Sequence, residues 1–181
     1  MTHRQLAMIS VMALLGASLP AQAHIVLAEP KAVASSYYKA TLRVGHGCEG
    51  SATTSLIVQV PTGFQGAKPQ PKTGWTVVTR KAKLAQPYNS HGKTVTDDVV
   101  ELRWTVTTPD AALPDEQFDE FAFMGRLPDQ AGPLWVKVLQ GCVQGKNDWS
   151  ETPATGTSTR GLKSPAALLD VQPAPQHHHH H

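Results

Sequence analysis

The sequence predicts an all-β, single-domain fold: a two-sheet β-sandwich of immunoglobulin-like or cupredoxin-like type. Short segments alternate apolar and polar residues, and Gly, Pro, Asn or Asp bounds each segment. No segment keeps a helical period of 3.6 residues over a helical length. Several short strands separated by turn residues are typical of two packed sheets.

The first residues are typical of a secretory signal peptide. Arg4 precedes an apolar stretch that ends at Pro20, and "AQA" at residues 21–23 is a small-x-small cleavage site. The stretch is shorter than the roughly 20 residues that a membrane-spanning helix needs, and no second long apolar segment follows. We therefore expect residues 1–23 to be removed, leaving His24 first in a periplasmic or secreted protein without a membrane span.

The mature domain is expected to cover residues 24–172, and a tail at 173–181 ends in five histidines typical of an engineered tag. About 150 residues are enough for one domain with a sizeable core. The chain has 16 basic and 14 acidic residues, and one basic residue leaves with the signal peptide. This near balance disfavours nucleic acid and anionic membrane surfaces as partners.

Seven segments carry the strand pattern. In chain order they are "YYKATLRVGHG", "TTSLIVQVP", "GWTVVTRKAKL", "DDVVELRWTVTTP", "FDEFAFMGRLP", "GPLWVKVLQGC" and "AALLDVQP". The side chains expected to share an inward face within their strands are Tyr38, Ala40, Leu42 and Val44; Leu56, Val58 and Val60; and Val100, Leu102, Trp104 and Val106. Residues 61–74, rich in Pro and Gly, are predicted as a loop, and residues 83–97 as a hairpin end that turns at residues 89–92.

The chain has two cysteines, Cys48 and Cys142. In an exported protein such a pair predicts a disulfide. It would close a loop of nearly the whole domain, which stabilises by about 4–5 kcal/mol in the chain-entropy model. A thiolate copper site is the alternative.

His24 is a candidate metal ligand because a new terminus would give it two nitrogens, the α-amine and the ring Nδ1. Together they close a chelate ring, and a planar set of N and O donors suits Cu(II). The segment "VGHGCEGS" offers a further ligand in His46 or Glu49, with glycines that allow tight turns. Either residue is equally well explained as an ordinary loop side chain.

Several segments resemble, in order, the YcnI-like family of exported copper-binding proteins. They are "HIVLAEP", "LRVGHGCEGSATTSLIVQVPTGF", the "GW" at residues 74–75, "LWVKVLQGC", and "DWSETPATG" followed by "PAALL". These segments span most of residues 24–170, and the initial His together with "GHGCEGS" is the most specific part.

The resemblance implies a β-sandwich that holds one Cu(II) per chain in a monohistidine brace. Carried onto this chain, the brace falls on His24 and the completing carboxylate on Glu49. A tryptophan beside the metal matches best at Trp149, and less well at Trp135. His46 departs from the pattern, because it lies close enough to Glu49 in the sequence to replace or join it.

Three functions follow from these observations. The first is a non-catalytic copper-binding protein for copper trafficking, storage or homeostasis, with a periplasmic copper chaperone or a membrane copper importer as partner. The second is a copper-dependent oxidative enzyme of the polysaccharide-oxygenase type, in which His46 or His91 supplies a second imidazole. The third is an interaction module without metal. We expect the first, with no enzymatic activity.

The tryptophans divide by their surroundings. Trp75, Trp104 and Trp135 lie in alternating strand patterns and are expected in the core. Trp149 lies among polar residues in "KNDWSE", so its burial would need a specific cause.

Overall fold

Eleven strands make up nearly all the regular structure of residues 24–175, the part of the chain that a computed structural model describes. The strands are Val26–Leu27 (β1), Lys31–Val33 (β2), Tyr37–Val44 (β3), Thr53–Gln59 (β4), Gln65–Pro69 (β5), Trp75–Ser90 (β6), Lys93–Val106 (β7), Asp119–Arg126 (β8), Gly132–Cys142 (β9), Lys146–Trp149 (β10) and Ala167–Gln172 (β11). A 3-10 turn covers Pro109–Ala111. The predicted signal peptide and the histidine run lie outside the described residues.

The strands form two sheets, which confirms the predicted all-β sandwich. The smaller sheet has the order β1-β3-β8-β5, and the larger has the order β2-β11-β9-β4-β7-β6 with β10 added to β9. β9 is central to the larger sheet, because β4 pairs along one of its edges while β11 and β10 follow one another along the other. Its Cys142 end therefore lies between β4, from an early part of the chain, and β10.

Alternating side chains fill the space between the sheets as predicted. On β3 the four expected inward residues are all buried, and on β4 and β7 the buried members are Leu56, Val58, Leu102 and Trp104. Aromatic rings pack edge-on at the centre of the core. The centroid of the Phe121 ring is 4.9 Å from that of Trp75 and 5.9 Å from that of Trp104. A continuous apolar core thus joins the two sheets.

Three local predictions are wrong or incomplete. Residues 61–74 are not only a loop, because they contain β5, an edge strand where a proline is tolerated since no neighbour needs its missing N–H. The long hairpin turns at His91 and Gly92 alone, both with positive φ (48° and 75°), while β6 continues through Ser90. Trp135 is half-buried and lies on the β9 face opposite the buried Val136 and Val138, outside the core.

No helix among residues 24–175 is both long and apolar enough to cross a membrane.

Candidate metal centre

His24 lies two residues before β1, which is at the edge of the smaller sheet. β1 pairs with β3 through Val26 and Arg43, and the neighbouring Ile25 is buried at 2% exposure. This anchoring leaves the His24 side chain half-buried. Its imidazole lies against Trp149, with ring centroids 5.6 Å apart and planes tilted by 59°.

Trp149 is buried because of strand pairing. It ends β10 directly opposite Val138 of β9. Opposed residues of an antiparallel pair share a face, and Val138 is buried, so the indole points inward and is only 6% exposed. Its Nε1–H donates to Oε1 of Gln140 at 2.9 Å. This pairing and this hydrogen bond are the specific cause of burial that its polar sequence neighbours required.

His46 reaches the same indole from the loop after β3. Its ring is edge-on to Trp149, with centroids 6.0 Å apart and planes at 79°. A carbonyl oxygen only accepts hydrogen bonds, so Nδ1 of His46 carries the hydrogen in its 2.5 Å contact with the Gly47 oxygen. In the neutral ring the lone pair then belongs to Nε2. Histidines that bind metals commonly donate their other ring N–H to a carbonyl in this way.

The Glu49 segment is a tight turn. Backbone hydrogen bonds of 2.9 Å join Cys48 and Ser51 in both directions, and Glu49 and Gly50 have φ values of 50° and 86°. Two central residues with positive φ are typical of a type I′ turn. Glu49 is therefore at the exposed tip of this turn, three residues after His46.

The disulfide that anchors this turn is present. Cys48 and Cys142 are bonded, with their Cα atoms 6.0 Å apart. The prediction of a disulfide is confirmed, and among residues 24–175 no cysteine is free. The bond ties the loop that carries His46 to the end of β9.

Backbone sterics and a carboxylate shape the His46 loop further. The Gly47 N–H donates to Oδ1 of Asp115 at 2.9 Å. A Cβ on Gly47 would overlap the carbonyl group of Ser51, so only glycine fits there. Loop, turn and disulfide together give His46 a defined position.

The sequence analysis missed three residues that build this region: Gln140, Asn147 and Asp115. Gln140 is fully buried and binds both Trp149 and the carbonyl oxygen of His46. Asn147 donates from Nδ2 to the Gly47 oxygen at 3.2 Å. A polar residue at an inward position of β9 was the one signal that could have identified Gln140.

The structure therefore brings His24, His46 and Trp149 together, although they are far apart in the sequence. Trp135 lies on the opposite face of β9, and His91 is at the exposed tip of the β6–β7 hairpin. Among residues 24–175 no cluster of three or more His, Cys, Asp or Glu side chains is arranged to hold a metal ion. A brace needs fewer such side chains, because a terminal amine supplies one of its nitrogens.

A cavity of about 310 Å³ opens beside His24. Apolar side chains of β1 and of residues 165–168, where β11 begins, line it together with Thr157 and Thr159. The side of His24 that faces this cavity is thus accessible to a small ligand.

Fold and site define a single-domain, immunoglobulin-like β-sandwich with two imidazoles against one buried indole. The chain belongs to the family described as "Domain of unknown function (DUF1775)", which matches residues 24–171. It is similar to a crystal structure of an uncharacterized protein from Nocardia farcinica, described as having an immunoglobulin-like fold. Sequence identity is 23%, the match covers 82% of this chain and 97% of that chain, and the TM-score is 0.63. This likeness shows the fold. No curated protein matches the chain.

Proposed function

We propose that this protein is an exported copper-binding protein that holds one Cu(II) per chain in a monohistidine brace at a mature N-terminus, His24. The observation that supports this most is the contact of the His24 imidazole with the buried indole of Trp149. A ring beside an apolar wall suits a metal site, because the surrounding shell controls the access of water.

The donor set suits Cu(II). The freed α-amine and Nδ1 of His24 supply two nitrogens of a planar arrangement, which Cu(II) favours over the tetrahedral sites of structural zinc. A carboxylate from Glu49 completes the set in the proposed site. Glu49 is exposed at the tip of a turn three residues after His46, whose ring contacts the same indole as His24.

The proposed role is copper trafficking, storage or homeostasis in the periplasm or outside the cell. The disulfide supports export, because such bonds persist in oxidising compartments. A periplasmic copper chaperone or a membrane copper importer would then be the partner that delivers or receives the ion. We propose a binding protein and no catalytic activity.

One observation favours the alternative of a copper-dependent oxidative enzyme. His46 also contacts Trp149, so a second imidazole lies against the same indole as His24. A site with two histidines and the amine would be closer to that of copper oxygenases than to a monohistidine brace.

The terminus is the sharpest test. Tag-free protein beginning at His24 is compared with a variant that has one alanine ahead of it, by Cu(II) titration and electron paramagnetic resonance. The tag has to be removed because its imidazoles bind copper themselves. We expect one tight equivalent in the first protein and its loss in the second, since acylating the amine removes one ligand. Equal affinity in both would exclude the brace.

A pair of substitutions separates the two functions. Glu49→Gln removes the anionic oxygen at constant size and is expected to weaken Cu(II) binding more than His46→Ala does. The reverse order, accompanied by ascorbate- or peroxide-dependent oxidation of a polysaccharide, would replace the proposed role with the enzymatic one.

A further inference from the structure

We infer that Gln140 is the positioning residue of this site: its one side-chain amide holds both Trp149 and the His46 loop in place. The inference extends the proposed function, since it concerns the same site. It depends on the four hydrogen bonds of a single fully buried side chain.

The hydrogen bonds of Gln140 use its whole amide. Nε2 donates to the carbonyl oxygen of His46 at 2.7 Å and to Oγ1 of Thr53 at 2.8 Å. Oε1 accepts from Nε1 of Trp149 at 2.9 Å and from Nδ2 of Asn147 at 3.3 Å. An amide has two N–H donors and two acceptor lone pairs, so its capacity is filled.

The partners also fix which way the amide faces. The indole N–H of Trp149 can only donate, and the carbonyl oxygen of His46 can only accept. Turning the amide over would place an oxygen against the His46 oxygen and an N–H against the Trp149 N–H. The observed orientation is therefore the only one that satisfies both neighbours.

This arrangement connects two segments that are far apart in the sequence. β10 presents Trp149 on one side of the amide, and the loop after β3 presents His46 on the other. Both imidazoles contact the Trp149 indole, so a displaced indole would alter the surroundings of each. An apolar side chain at 140 would fill the volume but leave the Trp149 N–H and the His46 oxygen without this partner, at a desolvation cost.

The test compares Gln140→Met with Thr53→Val. The first removes all four hydrogen bonds at similar volume. The second removes one bond of the same buried network. Thr53 is equally buried, and its side-chain oxygen pairs with Gln140 and Cys142 and not with His46 or Trp149. Thr53→Val is therefore a matched control for general damage to the core.

The first measurement uses metal-free protein. Hydrogen exchange of the Trp149 indole N–H, assigned by its absence in Trp149→Phe, is followed by NMR. We expect exchange to accelerate at least about fivefold in Gln140→Met, the equivalent of one lost neutral hydrogen bond. His46 ring signals should shift in the same variant, and both signals should stay near wild type in Thr53→Val.

The second measurement is Cu(II) affinity. Substitution of groups that orient metal ligands typically costs about 10- to 100-fold in affinity, and we expect a loss in that range for Gln140→Met with changed electron paramagnetic resonance parameters. Thr53→Val should bind like wild type. Equal effects of the two variants on indole exchange and on affinity would overturn the inference.

A third variant serves if Gln140→Met does not fold. Gln140→Glu keeps an oxygen for Trp149 but loses the amide donors to His46. Indole protection should persist in it, while the His46 ring signals shift. Unchanged His46 signals would overturn the inference. Wild-type protein that binds no copper would refute the proposed function, and the metal-free exchange measurement would still decide the role of Gln140.

Discussion

Removing the disulfide should destabilise the protein by several kcal/mol, mostly because the unfolded chain gains conformational entropy when the cross-link is lost. The perturbation is the double substitution Cys48→Ala and Cys142→Ala. The two cysteines are separated by 94 residues in the sequence. In the chain-entropy model, a cross-link that closes a loop of that length lowers the entropy of the unfolded state by about 16 cal/mol/K. This entropy loss stabilises the folded protein by about 4.7 kcal/mol at 25 °C.

The assay is urea unfolding of the oxidised protein, the reduced protein and the double variant. Cys48 is buried at 4% exposure, so the truncation adds a packing loss on the order of 1 kcal/mol. Reduced wild-type protein keeps both sulfur atoms and isolates the effect of the cross-link. The dependence of unfolding free energy on urea should also steepen, because an open unfolded chain exposes more surface.

A loss of less than about 1 kcal/mol in the reduced protein, with an unchanged urea dependence, would refute this reasoning. It would mean that the unfolded chain is not restricted by the cross-link. The disulfide would then act only by fixing the loop that carries His46 to the end of β9.

The remaining predictions concern the loop, the indole and alkaline stability. Gly47→Ala should lower the free energy of unfolding in urea by about 1–3 kcal/mol, because its Cβ would overlap a backbone carbonyl. In the control Gly45→Ala the Cβ meets nothing within 4 Å, so its free energy of unfolding should not change. Equal losses in the two variants would contradict this prediction. Trp149→Phe should cost about 1–3 kcal/mol through its lost buried hydrogen bond and should remove much of the fluorescence quenching by Cu(II), whereas Trp135→Phe should leave the quenching in place. Burial, and next a nearby carboxylate, raise the pKa of Tyr38 from 10.0 to about 12. Its contribution to stability is therefore complete below about pH 10 and lost as the pH rises to about 12, and Tyr38→Phe should flatten this loss in unfolding measured against pH.

The strands that could be predicted are those whose own residues carry the signal. On β3 the alternation of Tyr38, Ala40, Leu42 and Val44 is a local property, because successive side chains of any strand point to opposite faces. One apolar face had to be buried, and all four residues are. The pair Cys48 and Cys142 was predictable from the sequence alone, since a lone pair of cysteines in a chain expected to be exported usually forms a disulfide.

The short strands could not be predicted because other strands create them. β10 contains polar residues and one tryptophan, and it is a strand only through its pairing with β9. β5 lies in a stretch rich in Pro and Gly, and its pairing with β8 at a sheet edge outweighs that composition. The residues of β10 and β5 do not by themselves indicate which strand each one pairs with.

The sequence by itself determined the sandwich, the disulfide and which side chains are candidate metal ligands. Composition and alternation act between near neighbours, so they are visible in the chain. Only the tertiary structure decided that His24 and His46 meet at Trp149, and that Gln140 is hydrogen-bonded to both Trp149 and the His46 backbone. Those contacts join residues from three distant segments, and their free energy depends on pairing and burial that arise only when the sheets have assembled.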